Sequence, residues 1–247
     1  MASLGDYVYA TSPDGIAVNL FVGSRTTFTR GGVRVGVQME TGYPWDGRVS
    51  LTLDPAEKSR FKLAVRIPGW LTGKPVPGDL YTPAVGQSPG PIPVFRVNGK
   101  PVAHTLQDGY ALIENTWKKG DRVEWTFDMP VTRLVSRGEL KPNDGRVALQ
   151  RGPLVYCVEG TDNGGHAWNL IVPDNTTFDT ASLHIADERV TTVTADITVL
   201  TVAPDGQSAR TEIRRMTAIP YYTWANRGKT EMQVWLPTTI RDVKINY

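Results

Sequence analysis

Hydrophobic positions along this chain recur with a period of two rather than 3.6. Phe61, Leu63, Val65 and Ile67 alternate with Lys62, Ala64 and Arg66. Val123, Trp125, Phe127 and Met129 alternate with Glu124, Thr126 and Asp128. Val33, Val35, Val37 and Met39 share one parity, and Ile16, Val18, Leu20 and Val22 another. Such alternation turns one face of a strand toward a core and the other toward water or a second layer. Val49, Leu51 and Leu53 predict a further short strand, and Gly109–Glu114, Arg146–Val158, Ile197–Val202 and Met232–Leu236 also read as strands. No stretch of ten or more residues carries the pattern of an amphipathic helix.

Turn chemistry falls between these runs. Ser12-Pro13-Asp14-Gly15 and Ala203-Pro204-Asp205-Gly206 place Pro and Gly where tight turns need them, and Asn98-Gly99, Asp108-Gly109 and Asp144-Gly145 are hairpin pairs. Many short strands with this punctuation predict an all-β chain built of two β-sandwich, jelly-roll-like domains in tandem. The polar stretch Ser136–Gly145 is the expected boundary, giving a first sandwich over 1–137 and a second over 138–247. Gly73–Pro93 holds six prolines and few core-type residues, and proline cannot donate to a ladder, so it reads as an excursion between strands. Both a lid and a neutral insertion fit that reading, with the insertion preferred because long loops add little closure entropy.

Composition narrows the function. The 247 residues carry 27 basic and 25 acidic side chains, a net charge of +2, which predicts no nucleic-acid partner. The 24 glycines and 18 prolines exceed the roughly 12% of an average chain and agree with a turn-rich fold. No run approaches the roughly 18 apolar residues of a membrane span, so no membrane partner is expected. The first ten residues lack the basic and apolar segments of a signal peptide, making the cytoplasm the default expectation.

Chemical motifs are sparse. His104, His166 and His184 stand in no metal-ligand spacing, and a single cysteine, Cys157, excludes a disulfide framework and a multi-cysteine zinc site. No cofactor is therefore expected. Cys157 lies in the apolar run Leu154-Val155-Tyr156-Cys157-Val158 and reads as a buried hydrophobe in preference to a nucleophile. Asp46, Asp121, Glu124, Asp128, Asp162, Asp187 and Glu188 are mostly expected on solvated faces or turns, and their spacing nominates no glycosidase pair. Asp162-Asn163 and Asp174-Asn175 could offer oxygens to calcium, but Asx turns account for them more simply.

Aromatic residues are the enriched resource. Tyr43-Pro44-Trp45, with Asp46 beside it, Trp70 after Pro68-Gly69, and Tyr221-Tyr222-Thr223-Trp224 sit in loop-like settings. Tyr43, Trp45, Asp46, Trp70, Tyr221, Tyr222 and Trp224 are the candidate contacts for a sugar or a partner protein, since indole and phenol rings combine an apolar face with a polar handle. The alternative is that these rings plug sandwich ends or a seam. Trp117 and Trp125 are expected in the core.

Long motifs then line up in order: Thr41-Gly42-Tyr43-Pro44-Trp45-Asp46-Gly47, Phe61 to Trp70, Val97-Asn98-Gly99, Trp117-Lys118-Lys119-Gly120-Asp121, Gly145 to Cys157, and Thr217 to Gly228. Together they closely resemble the C-terminal part of glycoside hydrolase family 127, the β-L-arabinofuranosidase family. The resemblance covers almost the whole chain and makes Gly73–Pro93 a local insertion.

The resemblance implies a parent with an N-terminal (α/α)6 barrel that carries a zinc-bound cysteine nucleophile and a glutamate acid/base, followed by two β-sandwiches. It matches Cys157 to a strand cysteine of the second sandwich, so no catalytic residue carries over. It also implies that residues 236–247 return to complete the first sandwich. The leading expectation is thus a non-catalytic accessory region that partners the barrel, in the parent or on a separate chain, and that self-associates through a patch including Tyr43 and Trp45. The second is a carbohydrate-binding module for arabinose-containing glycans. An autonomous enzyme is the weakest of the three.

Overall fold

The computed structural model describes residues 3–87, 90–205 and 208–243. The chain divides into two units, one of Met1–Gly73 with Pro89–Met129 and one of Lys74–Ser88 with Pro130–Tyr247. Strands dominate both, and the one α-helix among the described residues is the single turn Gly5–Val8. The all-β expectation is met.

In the first unit the chain runs through β1 (Tyr9–Ser12), β2 (Gly15–Val18), β3 (Ser24–Arg30), β4 (Val33–Thr41), β5 (Arg48–Pro55) and β6 (Ser59–Arg66). It then contributes β7 (Tyr81–Pro83) to the second unit and returns for β8 (Arg96–Val97), β9 (Lys100–Pro101), β10 (Thr105–Gln107), β11 (Tyr110–Trp117) and β12 (Asp121–Thr126). Two sheets form, in the orders β1-β2-β6-β11-β10 and β3-β4-β5-β12-β8-β9. Register keeps the predicted apolar parity together. Val37 lies opposite Leu53 and Met39 opposite Leu51, Val123 meets Leu51 from the other side, and Leu63 faces Ile113. These side chains are buried in one core with Trp117 and Trp125. The indole N–H of Trp117 donates to the carbonyl of Phe61 at 2.9 Å, so its burial leaves no orphan donor.

The second unit continues with β13 (Val131–Ser136), β14 (Arg146–Arg151), β15 (Leu154–Glu159), β16 (Leu170–Ile171), β17 (Asp179–Ile185), β18 (Glu188–Val202), β19 (Ala209–Pro220), β20 (Met232–Gln233) and β21 (Leu236–Pro237). Its sheet runs β16-β18-β19-β15-β14-β13-β7. Strands change partner along their length. β14 pairs with β21 at Arg146–Val147 and with β13 from Ala148 onward, and β15 passes from β14 to β19 and then β20. That branching wraps the sheet's apolar face around a second core including Tyr156, Val193, Ile197 and Met216.

Three expectations about the path of the chain differ from what is observed. The division falls between Met129 and Pro130, not at 137/138, because Val131–Ser136 pairs with β14 and β7 and so belongs to the second unit. The polar run Ser136–Gly145 is the loop of the β13–β14 hairpin; a turn inside a domain and a linker between domains need the same residues. The proline-rich stretch is not wholly an excursion, since Tyr81–Pro83 forms an edge strand beside Leu134–Ser136, where proline is tolerated. The ring of Tyr81 packs on Trp235 with centroids 5.4 Å apart. Finally, Leu236–Pro237 pairs with Arg146–Val147 in the second unit, as does the neighbouring Thr238 N–H, which donates to Gly145. Ile240–Asp242 then form a 3-10 turn, and residues 244–247 of the expected return strand, Ile245 included, lie outside the described residues.

Candidate functional site

The seven candidate contacts divide between the units, and their environments differ. In the first unit, Thr41 organises the turn that carries Tyr43, Trp45 and Asp46. Its hydroxyl donates to the carbonyl of Arg48 and accepts the Tyr43 N–H. The N–H groups of Trp45 and Asp46 both donate to Gly42, and Asp46 accepts the backbone and side chain of Arg48. The Tyr43-Pro44 peptide is cis. Gly47 is required by space: a Cβ there would lie 1.9 Å from the carbonyl oxygen of Phe127.

This loop turns Tyr43 inward. Its ring meets Phe21 and Phe127 edge-on, and its hydroxyl accepts the indole N–H of Trp70 at 3.1 Å. Burial pushes the Tyr43 hydroxyl up to about 12, against the opposing effect of the Trp70 hydrogen bond. Trp70 stands edge-on to Phe127 and packs on the same core. Tyr43 and Trp70 therefore hold the end of the sandwich, the plug reading of these rings, while Trp45 and Asp46 are half-buried.

In the second unit, Tyr221, Tyr222 and Trp224 are exposed to 43%, 52% and 42%. They occupy a single 3-10 turn, Tyr221–Thr223, and the residue after it. Thr223 is the buried member, and its hydroxyl donates to the Pro220 carbonyl at 2.7 Å. The rings of Tyr221 and Trp224 are parallel to within 8°, with centroids 6.5 Å apart. The hydroxyl of Tyr222 donates to Glu188 at 2.9 Å. Burial, the bond to Glu188 and its charge all raise the pKa of Tyr222, which stays protonated across the physiological range.

What fixes this turn is an ion network that strand periodicity does not reveal. Glu159 ends β15 and is almost fully buried. One of its oxygens accepts the Ala225 N–H at 2.7 Å and the other accepts Arg227 Nη2 at 2.7 Å. Arg227 also donates to both oxygens of Asp162. Asn163 ties the same region together, donating to the carbonyls of Glu159 and Thr217 and accepting the Thr217 N–H. The motif from Thr217 to Gly228 thus presents three rings outward on a segment bolted to the core from behind. Arginine suits this role because its planar fork engages two carboxylates at once.

Other acids also depart from their expected settings. Asp162 is committed to Arg227, and Asp121 is buried, accepting the Asn98 amide and the Lys118 N–H at 2.9 Å each. Both belong to the group of acids expected mostly on solvated faces or turns. A solvated reading follows from strand parity, which cannot register a partner brought in by another loop. Asn98-Gly99 and Trp117–Asp121 are two of the spaced motifs, and this contact is what joins them.

Cys157 is buried beside the Glu159 network. Burial first, and the charge of Glu159 next, push its thiol up to about 12, which makes it a packing residue. The zinc-bound cysteine chemistry implied for the parent barrel does not fit the residues present. Cys157 is the one thiol, and among the described residues no three His, Cys, Asp or Glu side chains stand together as a metal would need. Glu231 caps the loop before β16, accepting the N–H of Ala167 at 2.8 Å and meeting His166 at 3.4 Å. Among the described residues no helix is long and apolar enough to cross a membrane.

Comparison with known proteins accounts for this arrangement. Residues 15–129 match the middle domain of β-L-arabinofuranosidase, family 127, and residues 131–237 match the glycoside hydrolase family 127 C-terminal domain. The boundary between the two matches coincides with the structural one. A non-reducing end β-L-arabinofuranosidase of Bifidobacterium longum subsp. longum is 31% identical over 95% of this chain, which covers 35% of that enzyme. A solved GH127 β-arabinofuranosidase superposes with a TM-score of 0.91 at 35% identity, over 98% of this chain and 38% of its own. A GH127 β-L-arabinofuranosidase from Geobacillus stearothermophilus T6 gives 0.82 at 34% identity, over 96% of this chain and 35% of its own. The chain spans little more than a third of each relative, and what it carries is the middle and C-terminal domains of glycoside hydrolase family 127.

Proposed function

We propose that these two sandwiches form the non-catalytic, supporting region of a family 127 glycoside hydrolase. They hold the catalytic portion in its working form and contribute to self-association. One observation carries this reading: 98% of the chain superposes on a β-arabinofuranosidase that is itself matched over only 38% of its length. Both units have counterparts in that enzyme, and most of the enzyme lies outside them. Buried Cys157 and the Glu159–Arg227–Asp162 network fit a structural role, since both terminal nitrogens of Arg227 are spent on carboxylates within the fold.

The test is complementation in trans. The unmatched portion of the Bifidobacterium longum relative is produced alone and together with this chain. A stable complex, with hydrolysis of a nitrophenyl β-L-arabinofuranoside appearing only when both are present, is the expected result. Hydrolysis by this chain alone would overturn the non-catalytic reading. Failure of the two pieces to associate or to gain activity would overturn the supporting one.

A further inference from the structure

We infer that Tyr221, Tyr222 and Trp224, with Glu188, form a surface site that binds the sugar rings of an arabinose-containing oligosaccharide; only the choice of arabinose rests on the family reading. Tyr221 and Trp224 lie parallel to within 8°, and 43% and 42% of their surface is open to solvent. Flat apolar faces of this kind pack on the C–H face of a sugar, while its hydroxyls need nearby acceptors. Glu188, exposed, supplies one: a carboxylate accepts at about four positions, and Tyr222 fills one of them. Asp187, Arg189, Asn226 and Lys229, neighbours along the chain, are also exposed.

Two further observations favour a small ligand over a protein partner. At roughly 200 Å² per aromatic side chain, the exposed fractions leave on the order of 300 Å² of ring surface. A stable protein interface covers about 800 Å² on each partner. The turn is also held in place before any ligand arrives, by Thr223 on Pro220, Ala225 on Glu159 and Arg227 between Glu159 and Asp162. Binding then orders little of the protein, the condition under which a weak stacking contact yields measurable affinity.

The experiment titrates the full chain with linear arabino-oligosaccharides, and with xylo- and cello-oligosaccharides as comparison arms, following tryptophan fluorescence. A saturable change with the arabino-oligosaccharides is expected. Trp224→Ala should weaken it at least tenfold and Glu188→Gln about threefold, while Trp168→Phe leaves it unchanged. Saturation-transfer NMR on the unmodified chain, irradiating aromatic protons, should label sugar C–H protons, and it decides the matter if Trp224→Ala does not fold. No saturable change and no transfer with any arabino-oligosaccharide would overturn the inference. Binding that survives Trp224→Ala in folded protein would do the same, as would an oligomer that dissociates on that substitution. None of these negative results bears on complementation in trans, so the supporting role is judged separately.

Discussion

Arg227 reaches Glu159 across 68 residues of sequence, its Nη2 donating at 2.7 Å to a carboxylate that is almost fully buried. The pair joins the end of a core strand to the loop that carries the exposed aromatic turn. Removing the arginine leaves a buried carboxylate whose best counter-ion is gone. Arg227→Met should therefore cost about 3 kcal/mol of folding stability, the usual penalty for breaking a buried pair on one side. Urea unfolding checks this. A loss below about 1 kcal/mol, the level of an exposed pair, would mean that water already screens the network.

Cys157 should be chemically silent. With its thiol pushed up to about 12 by burial and by Glu159, almost no thiolate exists at neutral pH. Iodoacetamide at pH 7.5 should leave the folded chain unmodified and label it fully in denaturant. Rapid labelling of native protein, read by mass spectrometry, would contradict the buried setting.

Acid should loosen the loop that Glu231 caps. Burial pushes this carboxyl upward, but hydrogen bonds from Ala167, His166 and Trp168 together outweigh it and leave the folded pKa below the ordinary 4.5. The unfolded chain thus binds the proton more readily than the folded one. The contribution of Glu231 is present above pH 4.5 and is lost as pH falls through the lowered folded value. Glu231→Gln should remove that part of the pH dependence, so the stabilities of the two proteins should differ most near neutrality and converge in acid. Parallel curves across that window would count against the cap.

Gly47 tests the close approach behind Tyr43. A Cβ at this position would sit 1.9 Å from the Phe127 carbonyl oxygen, with the Phe127 backbone unable to yield as a side-chain tip could. Gly47→Ala should cost about 2 kcal/mol or more, above the range of ordinary surface changes. Thermal unfolding reads the effect. A neutral outcome would show that the two segments separate easily.

Asp121 carries a different kind of burden, a buried acceptor with two donors. Asp121→Ala leaves the Asn98 amide and the Lys118 N–H without their partner, and should cost about 2 kcal/mol. The double variant with Asn98→Ala should cost less than the sum of the two single changes, because the second removal deletes a group already orphaned. Strict additivity in a denaturation cycle would deny the contact.

Much of the fold was legible in advance because strand parity is local. Phe61, Leu63 and Val65 are buried as their spacing predicts, as are Val35, Val37 and Met39, and Trp117 and Trp125 lie in the core. Less legible were features that depend on a second segment. Tyr81–Pro83 reads as a loop because its partner strand, Val131–Ser136, lies far along the chain. Glu159 and Asp121 look like ordinary strand acids until Arg227 and Asn98 arrive from elsewhere. The aromatic candidates shared one signature, loop position with flanking polar residues, and nothing local separates Tyr43, turned into Phe21 and Phe127, from Trp224, turned to water.

The sequence by itself determined that this chain is all-β and which motifs it shares with family 127, because alternation, turn residues and motif order are written along a single strand of text. Only the tertiary structure decided where the two units divide, which acids are buried, and which aromatic rings face outward. Those outcomes depend on what packs against a residue from distant parts of the chain, and burial and ion pairing are set by that company.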